Sequence, residues 1–326
     1  MLNIRFPLAK EGQGVLAKKT GKGNKTGKDK ERSRVREERR REIRLRRSGL
    51  IDDQDRCSIT YKIAQERSEL ESAFELVWDS YVKVGLQADD NLGIRVSKYQ
   101  LLPTTKVLVA VHHPELDKRA PDYEKLKEPG VVVGTLTLVM DSSMGLPMEE
   151  LCGDEVAELR SRGRKLAEVI ALSVNPDFRK DNVMMYLYKL MFQYARHKGV
   201  TDLTCSVTKK HIRFYRRMLL FKPLGGLKEY SAANQLETQG HLLDLKRAES
   251  EAKSVYHSRH FDADLYNFFF TSNKKTGRPF GEGKPWSREQ LEYFITRRTQ
   301  LLEKLDEDTK EILRTEYKIA GGVFPF

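Results

Sequence analysis

Glu168 is the third residue of the run 166–174, LAEVIALSV, whose one other polar side chain is Ser173. A carboxylate in an apolar strand loses hydration, so it must be paired or used. Paired, it would answer a basic neighbour such as Arg164. Used, burial would raise its pKa to where a carboxylate accepts a proton near neutral pH. The same run leads into Asn175-Pro176, a turn signal, and then a helical pattern from Val183. A helix opening off a loop at the end of a buried strand presents unpaired backbone N–H groups, which suit a phosphate. Val174, Arg179, Lys180, Asn182 and Val183 would surround such a group. Downstream, His211 and Tyr215 stand four residues apart and share a helix face. Lys209, Lys210, Arg213, Arg216 and Arg217 crowd the same stretch. They form either a solvated face or a docking rim for an acidic partner.

The elements that must position these groups follow from periodicity. Residues 166–224 read as strand, loop, helix, strand, helix, strand. Val183, Leu187, Leu190, Met191 and Tyr194 recur at helical spacing, and Gly199 stands where a helix-ending glycine belongs. Upstream, 58–64 alternates like a strand. Leu70, Ala73, Phe74, Val77, Trp78 and Tyr81 make an amphipathic helix. The stretch 84–103 is irregular, 106–112 and 131–140 are strands, and the Pro-containing loop between them is exposed. An acidic helix spans 148–159, with Glu149, Glu150, Asp154 and Glu155 on a solvated face or turned to hold an ammonium group. Residues 240–246 close the sheet as a last strand, and 248–260 form a polar boundary. Two helices follow over 287–305 and 306–319, the first with an apolar face that must cover the main domain, a partner or a ligand tunnel.

The 326 residues carry a net charge of +12, but residues 1–49 hold 17 Lys and Arg against 6 Asp and Glu. The remainder is almost balanced, with 42 basic and 41 acidic residues. The basic character therefore belongs to the tail, which lacks the apolar residues to join a core. Residues 10–47 could make weak contacts with an anionic surface, though no specific nucleic-acid binding is expected. No run is apolar enough to span a membrane, no signal sequence opens the chain, and Cys57, Cys152 and Cys205 show no metal spacing. His257, His260, Asp262 and Asp264 lie close in sequence without a ligand motif. A cytoplasmic protein without a metal is the expectation. It would have a basic tail over 1–50, a main domain over 55–250 and a helical extension over 257–326.

Three blocks, GTLTLVMDSSMGLPMEEL (134–151), GRKLAEVIALSV (163–174) and HIRFYRRMLLFKPLG (211–225), carry a family likeness. In content and spacing they resemble the GNAT acyltransferase fold. More narrowly, they are similar to the FeeM-type N-acyl amino acid synthases, relatives of the acyl-homoserine lactone synthases. The likeness implies an α/β (α+β) fold with a mixed, mostly antiparallel central sheet flanked by helices. It implies an enzyme that moves an acyl group from an acyl-carrier-protein thioester to the amine of an amino acid or similar small amine. Glu168 would be the base, a backbone N–H near 172–174 would polarise the thioester carbonyl, and Tyr215 would protonate the leaving thiolate. Arg164 and His211 would contact substrate, and the basic cluster would contact the carrier protein.

The chain departs from the family at the loop-helix junction. GNAT enzymes place two small residues there, where this chain has Asn182 and Met184. Glycine permits close approach of a pyrophosphate, so the substitution favours a phosphopantetheine arm over coenzyme A. Leu220 likewise stands where the family often has glycine. Two rivals remain: an acetyl- or acyl-CoA-dependent N-acetyltransferase, and a non-catalytic GNAT-shaped module whose tail meets nucleic acid or membrane.

Overall fold

The structure, a computed structural model, describes residues 58–113, 130–256, 264–271 and 283–326, without side chains at 179–181. The basic tail, Cys57, the loop over 114–129, and His257, His260 and Asp262 lie outside the described residues.

Seven strands form one sheet: β1 (Ile59–Ile63), β2 (Lys106–His112), β3 (Val131–Met140), β4 (Leu166–Val174), β5 (Asp202–Thr208), β6 (Lys222–Tyr230) and β7 (Leu236–Asp244). Their order is β1-β2-β3-β4-β5-β7-β6, antiparallel throughout except for the parallel pair β4–β5. This is the mixed, mostly antiparallel sheet expected from the sequence. The segment expected to close it, 240–246, is part of β7, which lies between β5 and β6 and leaves β6 at the edge.

Strand alternation divides the core in two. Leu108 and Ala110 of β2 pack with α3 (Val183–His197), whereas Val107, Val109 and Val111 pack with α1 (Arg67–Lys83) on the other face. Gly134 of β3 lets α3 lie against the sheet, since a Cβ there would come within 2.5 Å of Val183 Cγ1. The α1 face also carries α2 (Glu149–Ser161), broken at Cys152 by a non-helical φ of −147°. The α3 face carries the short α4 (Ile212–Arg217) and α5 (Leu245–Tyr256). The polar stretch expected to act as a boundary after 248 is therefore helical as far as Tyr256, because Leu245, Ala248, Ala252 and Tyr256 give it a buried face at helical spacing.

The helix expected over 287–305 is interrupted. It begins as α6 (Arg288–Glu292), widens to a π turn over Tyr293–Arg298, breaks at Thr299 and resumes as α7 (Leu301–Lys304). The next, α8 (Glu307–Ile319), starts at an Asp306 cap, as the sequence indicates. The apolar face covers the main domain. Phe294 meets Phe74 at 5.5 Å between ring centroids, and Leu291 and Ile295 pack with Val139 and Leu166. Arg298 anchors the segment to α1 through Glu71 and Glu75 at 2.8 and 2.9 Å.

Candidate active site

The β4–β5 pairing runs over three residue pairs and ends at Glu168↔Thr204. Beyond it, β5 continues with β7 as far as Thr208↔Thr238, while β4 continues with β3 alone. Two parallel strands thus part in mid-sheet and leave an opening toward their C-terminal ends. β4 also bulges here. Thr135 pairs with Ser173 but Thr137 pairs with Ile170, and Ala171 takes a φ of 52°. The extra residue reverses the alternation. Ile170 packs with the α2 side and Leu172 with the α3 side. Ser173 turns to α1, where its hydroxyl meets Ser80 Oγ at 2.5 Å and donates to the Leu76 carbonyl at 3.1 Å. Residues 172–174, expected to supply a backbone N–H to the thioester carbonyl, directly follow this bulge.

Glu168 closes the narrow end of the opening. It is 1 % exposed, with one oxygen accepting from the Met148 N–H at 2.8 Å and the other from Ser206 Oγ at 3.3 Å. Among the described residues no cation pairs with it. Arg164 is engaged elsewhere, by Asp202 at 2.5 Å and Asp244 at 3.0 Å, where it ties the ends of β5 and β7 to the start of β4. Burial therefore acts on Glu168 almost unopposed and pushes its pKa up to about 8, against small lowering effects from its two hydrogen bonds.

Tyr215 lies across the sheet on the α3 face. Its hydroxyl accepts a hydrogen bond from Tyr188 at 2.7 Å, and burial holds it above the ordinary value of 10. The Tyr215 proton is therefore not spent on Tyr188. His211, on the same helical side, has a buried Nε2 without a partner, and desolvation with help from Lys210 pushes its pKa down to about 4, leaving it neutral. His241 Nε2 is likewise buried and unpartnered, with its ring centroid 6.5 Å from that of Tyr215.

The loop after β4 is a 3-10 turn over Pro176–Asp181, with the Asn175 side chain accepting from the Asp177 N–H at 3.0 Å. Asn182 then adopts a left-handed φ of 57° before α3 begins at Val183. Asparagine tolerates this region better than most residues, so the chain makes the turn without glycine. Met184 is 5 % exposed and belongs to the core beneath α3. Its bulk points into the sheet packing, which removes the steric objection to a pyrophosphate raised from the sequence. Leu220 takes a φ of 61°, the conformation for which glycine is favoured. On and just before α4, Lys210, Arg213, Arg216 and Arg217 are exposed, and Lys209 pairs with Glu237 at 2.6 Å.

Sequence reasoning missed the residues that wall the Glu168 side. The Tyr230 hydroxyl donates to the carbonyl of Pro147 at 2.9 Å, and the same peptide unit's N–H serves Glu168. Tyr99 is raised by burial and by the charges of Glu168, Glu149 and Glu150. Glu149 pairs with Arg160 and accepts from the Leu146 N–H in the loop before its helix. The helical pattern did name Tyr81, but only as part of a helix face. Among the described residues no group of three potential metal ligands gathers, and no helix is long and apolar enough to cross a membrane.

A family model described as N-acyl amino acid synthase FeeM matches residues 72–240. The chain belongs to this family. The matched span includes Glu168, the splayed strands and Tyr215, and the protein is accordingly an acyltransferase. No curated protein matches significantly. Among solved structures, FeeM, an N-acyl amino acid synthase from uncultured soil microbes, is 22% identical with a TM-score of 0.49, over 59% of this chain and 93% of that one. A CoA-dependent acyl-homoserine lactone synthase, BjaI, solved with SAM and isopentyl-CoA, is 16% identical with a TM-score of 0.41, over 65% and 99%.

Proposed function

We propose that this acyltransferase moves a long acyl group from the phosphopantetheine arm of an acyl carrier protein to the amine of an amino acid, with Glu168 as the base. The observation that carries the reading is Glu168 itself: a carboxylate without a cation, fully buried, at the point where two parallel strands part. Its raised pKa makes it a far stronger base than an exposed carboxylate. The acceptor's ammonium gives a proton to Glu168, and the free amine attacks the thioester carbonyl. As the C–N bond forms and the C–S bond breaks, the thiolate takes the proton of Tyr215, and the surplus proton on the acylated nitrogen returns to the Tyr215 phenolate. Charge developing on the carbonyl oxygen would be met by a backbone N–H of 172–174, beside the bulge at Ala171.

Two features favour the carrier-protein donor. The exposed cations Lys210, Arg213, Arg216 and Arg217 cluster on and just before α4, which also carries Tyr215, on a body whose total charge is nearly balanced. An apolar cavity of about 50 Å³ lies beside the Tyr188–Tyr215 pair, lined by Met191, Leu203, Leu243, Ala252 and Phe269 among others. A CoA donor is the second reading, favoured by the left-handed Asn182 and the inward Met184, neither of which sets a bulky side chain against a pyrophosphate. The purified chain is offered dodecanoyl groups on carrier protein, CoA and pantetheine with a pool of amino acids, and products are read by mass spectrometry. N-Acyl amino acids formed at least tenfold faster from the carrier protein support the proposal. Preference for CoA replaces it with the second reading, and thioester hydrolysis without amide formation overturns both.

A further inference from the structure

Glu168 can serve as a base only if protons reach it and leave it, yet it is 1 % exposed. The reaction makes the need explicit. A thioester and an ammonium give an amide, a thiol and one surplus proton. With Tyr215 restored by the acylated nitrogen, that surplus is the proton on Glu168. Among the described residues two groups hydrogen-bond to the carboxylate, the Met148 N–H at 2.8 Å and Ser206 Oγ at 3.3 Å. A backbone N–H only donates, whereas a hydroxyl both donates and accepts. Of the two, only Ser206 can pass a proton on. Glu149, Cys152, Tyr99, Cys205 and Tyr230 are close enough for charge to be felt between them and Glu168, but none of them is hydrogen-bonded to it among the described residues.

Ser206 is placed for that task. It stands two residues beyond Thr204, where β5 leaves β4, and it is the one residue of β5 that is not buried. It thus touches the buried carboxylate and still meets solvent. Its hydroxyl also has a second partner. Tyr230, whose pKa is raised chiefly by burial, is drawn back by a hydrogen bond from Ser206. The Tyr230 proton is already given to the Pro147 carbonyl at 2.9 Å, so the phenol oxygen can accept. With Glu168 protonated, the carboxyl donates to Ser206 and Ser206 donates to Tyr230. With Glu168 ionised, Ser206 turns its proton to the carboxylate. The hydroxyl is satisfied in both states, and rotation about one bond interconverts them.

We propose that Ser206 relays protons between Glu168 and the opening. The assignment rests on the acyl-transfer reading above and adds to it the path by which its base is charged and discharged. Inbound, an N–H bond of the acceptor's ammonium breaks as Ser206 Oγ takes the proton and passes its own to Glu168. Outbound, after the amide leaves, Glu168 gives its proton to Ser206 Oγ, which passes its own to water in the opening. The test uses the full chain with dodecanoyl-pantetheine as donor and the best acceptor from a pool of amino acids. Ser206→Thr and Ser206→Val are compared, since they share a shape that a strand accepts and differ only in the hydroxyl. The Val variant should have a kcat roughly 10–100-fold below that of the Thr variant, with both KM values within about threefold. Its solvent deuterium isotope effect on kcat should be the larger of the two, because proton transfer has become limiting. Ser206→Ala, which adds no bulk, should repeat the loss if Val folds poorly. A Val variant as fast as the Thr variant, or slower without the larger isotope effect, would overturn the relay. If Glu168→Gln loses turnover in the same assay, the acyl-transfer reading survives that outcome; if Glu168→Gln keeps wild-type turnover, or the wild type forms no amide, both fall.

Discussion

Replacing Glu168 by Gln separates the chemistry of this carboxylate from its structural cost. Gln keeps the shape and can still accept from the Met148 N–H, while its amide can donate to Ser206 Oγ. It cannot take a proton. In the unfolded chain the carboxyl ionises at its ordinary value of 4.5, whereas in the fold it ionises at about 8. The folded pKa is the higher one, so the wild type loses stability as pH rises from the unfolded value to the folded value and is flat above. The full penalty is on the order of 3–5 kcal/mol at one pH unit per about 1.4 kcal/mol. Gln carries no such penalty. Urea melts of both proteins should coincide near pH 4.5, and by pH 9 the Gln variant should be the more stable. Activity should move the other way. Turnover should fall by roughly 10²–10⁴-fold, as expected for loss of a general base. The wild-type rate should climb through pH 8 with one more ionisation than the variant, which keeps only that of the amine. A Gln variant less stable than the wild type at pH 9 would mean that the carboxylate anchors the fold. One with wild-type turnover would remove Glu168 from the chemistry.

Reversing Arg213 and Arg216 to Glu should raise KM for acyl-carrier protein by about tenfold and flatten its salt dependence, with little effect on acyl-pantetheine. Equal loss on both donors would point to damage at α4. Tyr215→Phe should lower kcat by about 10–100-fold on alkyl thioesters and far less on aryl thioesters, whose thiolate leaves unprotonated; a leaving-group-independent loss would remove it as the acid. Gly134→Ala should cost about 1–3 kcal/mol by overpacking and raise the donor KM, because the new methyl meets Val183 and Leu187 at the start of α3; an unchanged melt would show that α3 shifts freely. Deleting residues 1–49 should leave melting temperature and turnover unchanged, since the tail lacks core residues; a lower melting temperature would make the tail part of the fold.

The sheet was legible because each strand is long, apolar and flanked by turns, so period and length agreed. The reading of 106–112 and 131–140 matches β2 and β3 residue for residue. The misreadings have local causes. Residues 248–260 look polar because the buried face of α5 is built largely from alanine and one tyrosine, which hydropathy barely registers. The break after α6 is made by Thr299, whose hydroxyl turns back to the Phe294 carbonyl at 2.6 Å, a competition between side chain and backbone that periodicity does not see.

Glu168 could be read from sequence because a charge inside an apolar strand is anomalous wherever the strand lies. Its partners could not. Arg164 precedes it by four residues and was a reasonable neighbour, yet the β-strand turns Arg164 to Asp202 and Asp244 at the far end of β5 and β7. The shorter of its two hydrogen bonds comes from the backbone N–H of Met148, twenty residues upstream, and no side-chain pattern announces a backbone donor. A buried carboxylate can thus be read from the cost of burying it, whereas the backbone donor that holds it costs the chain no special residue and shows itself only in the fold.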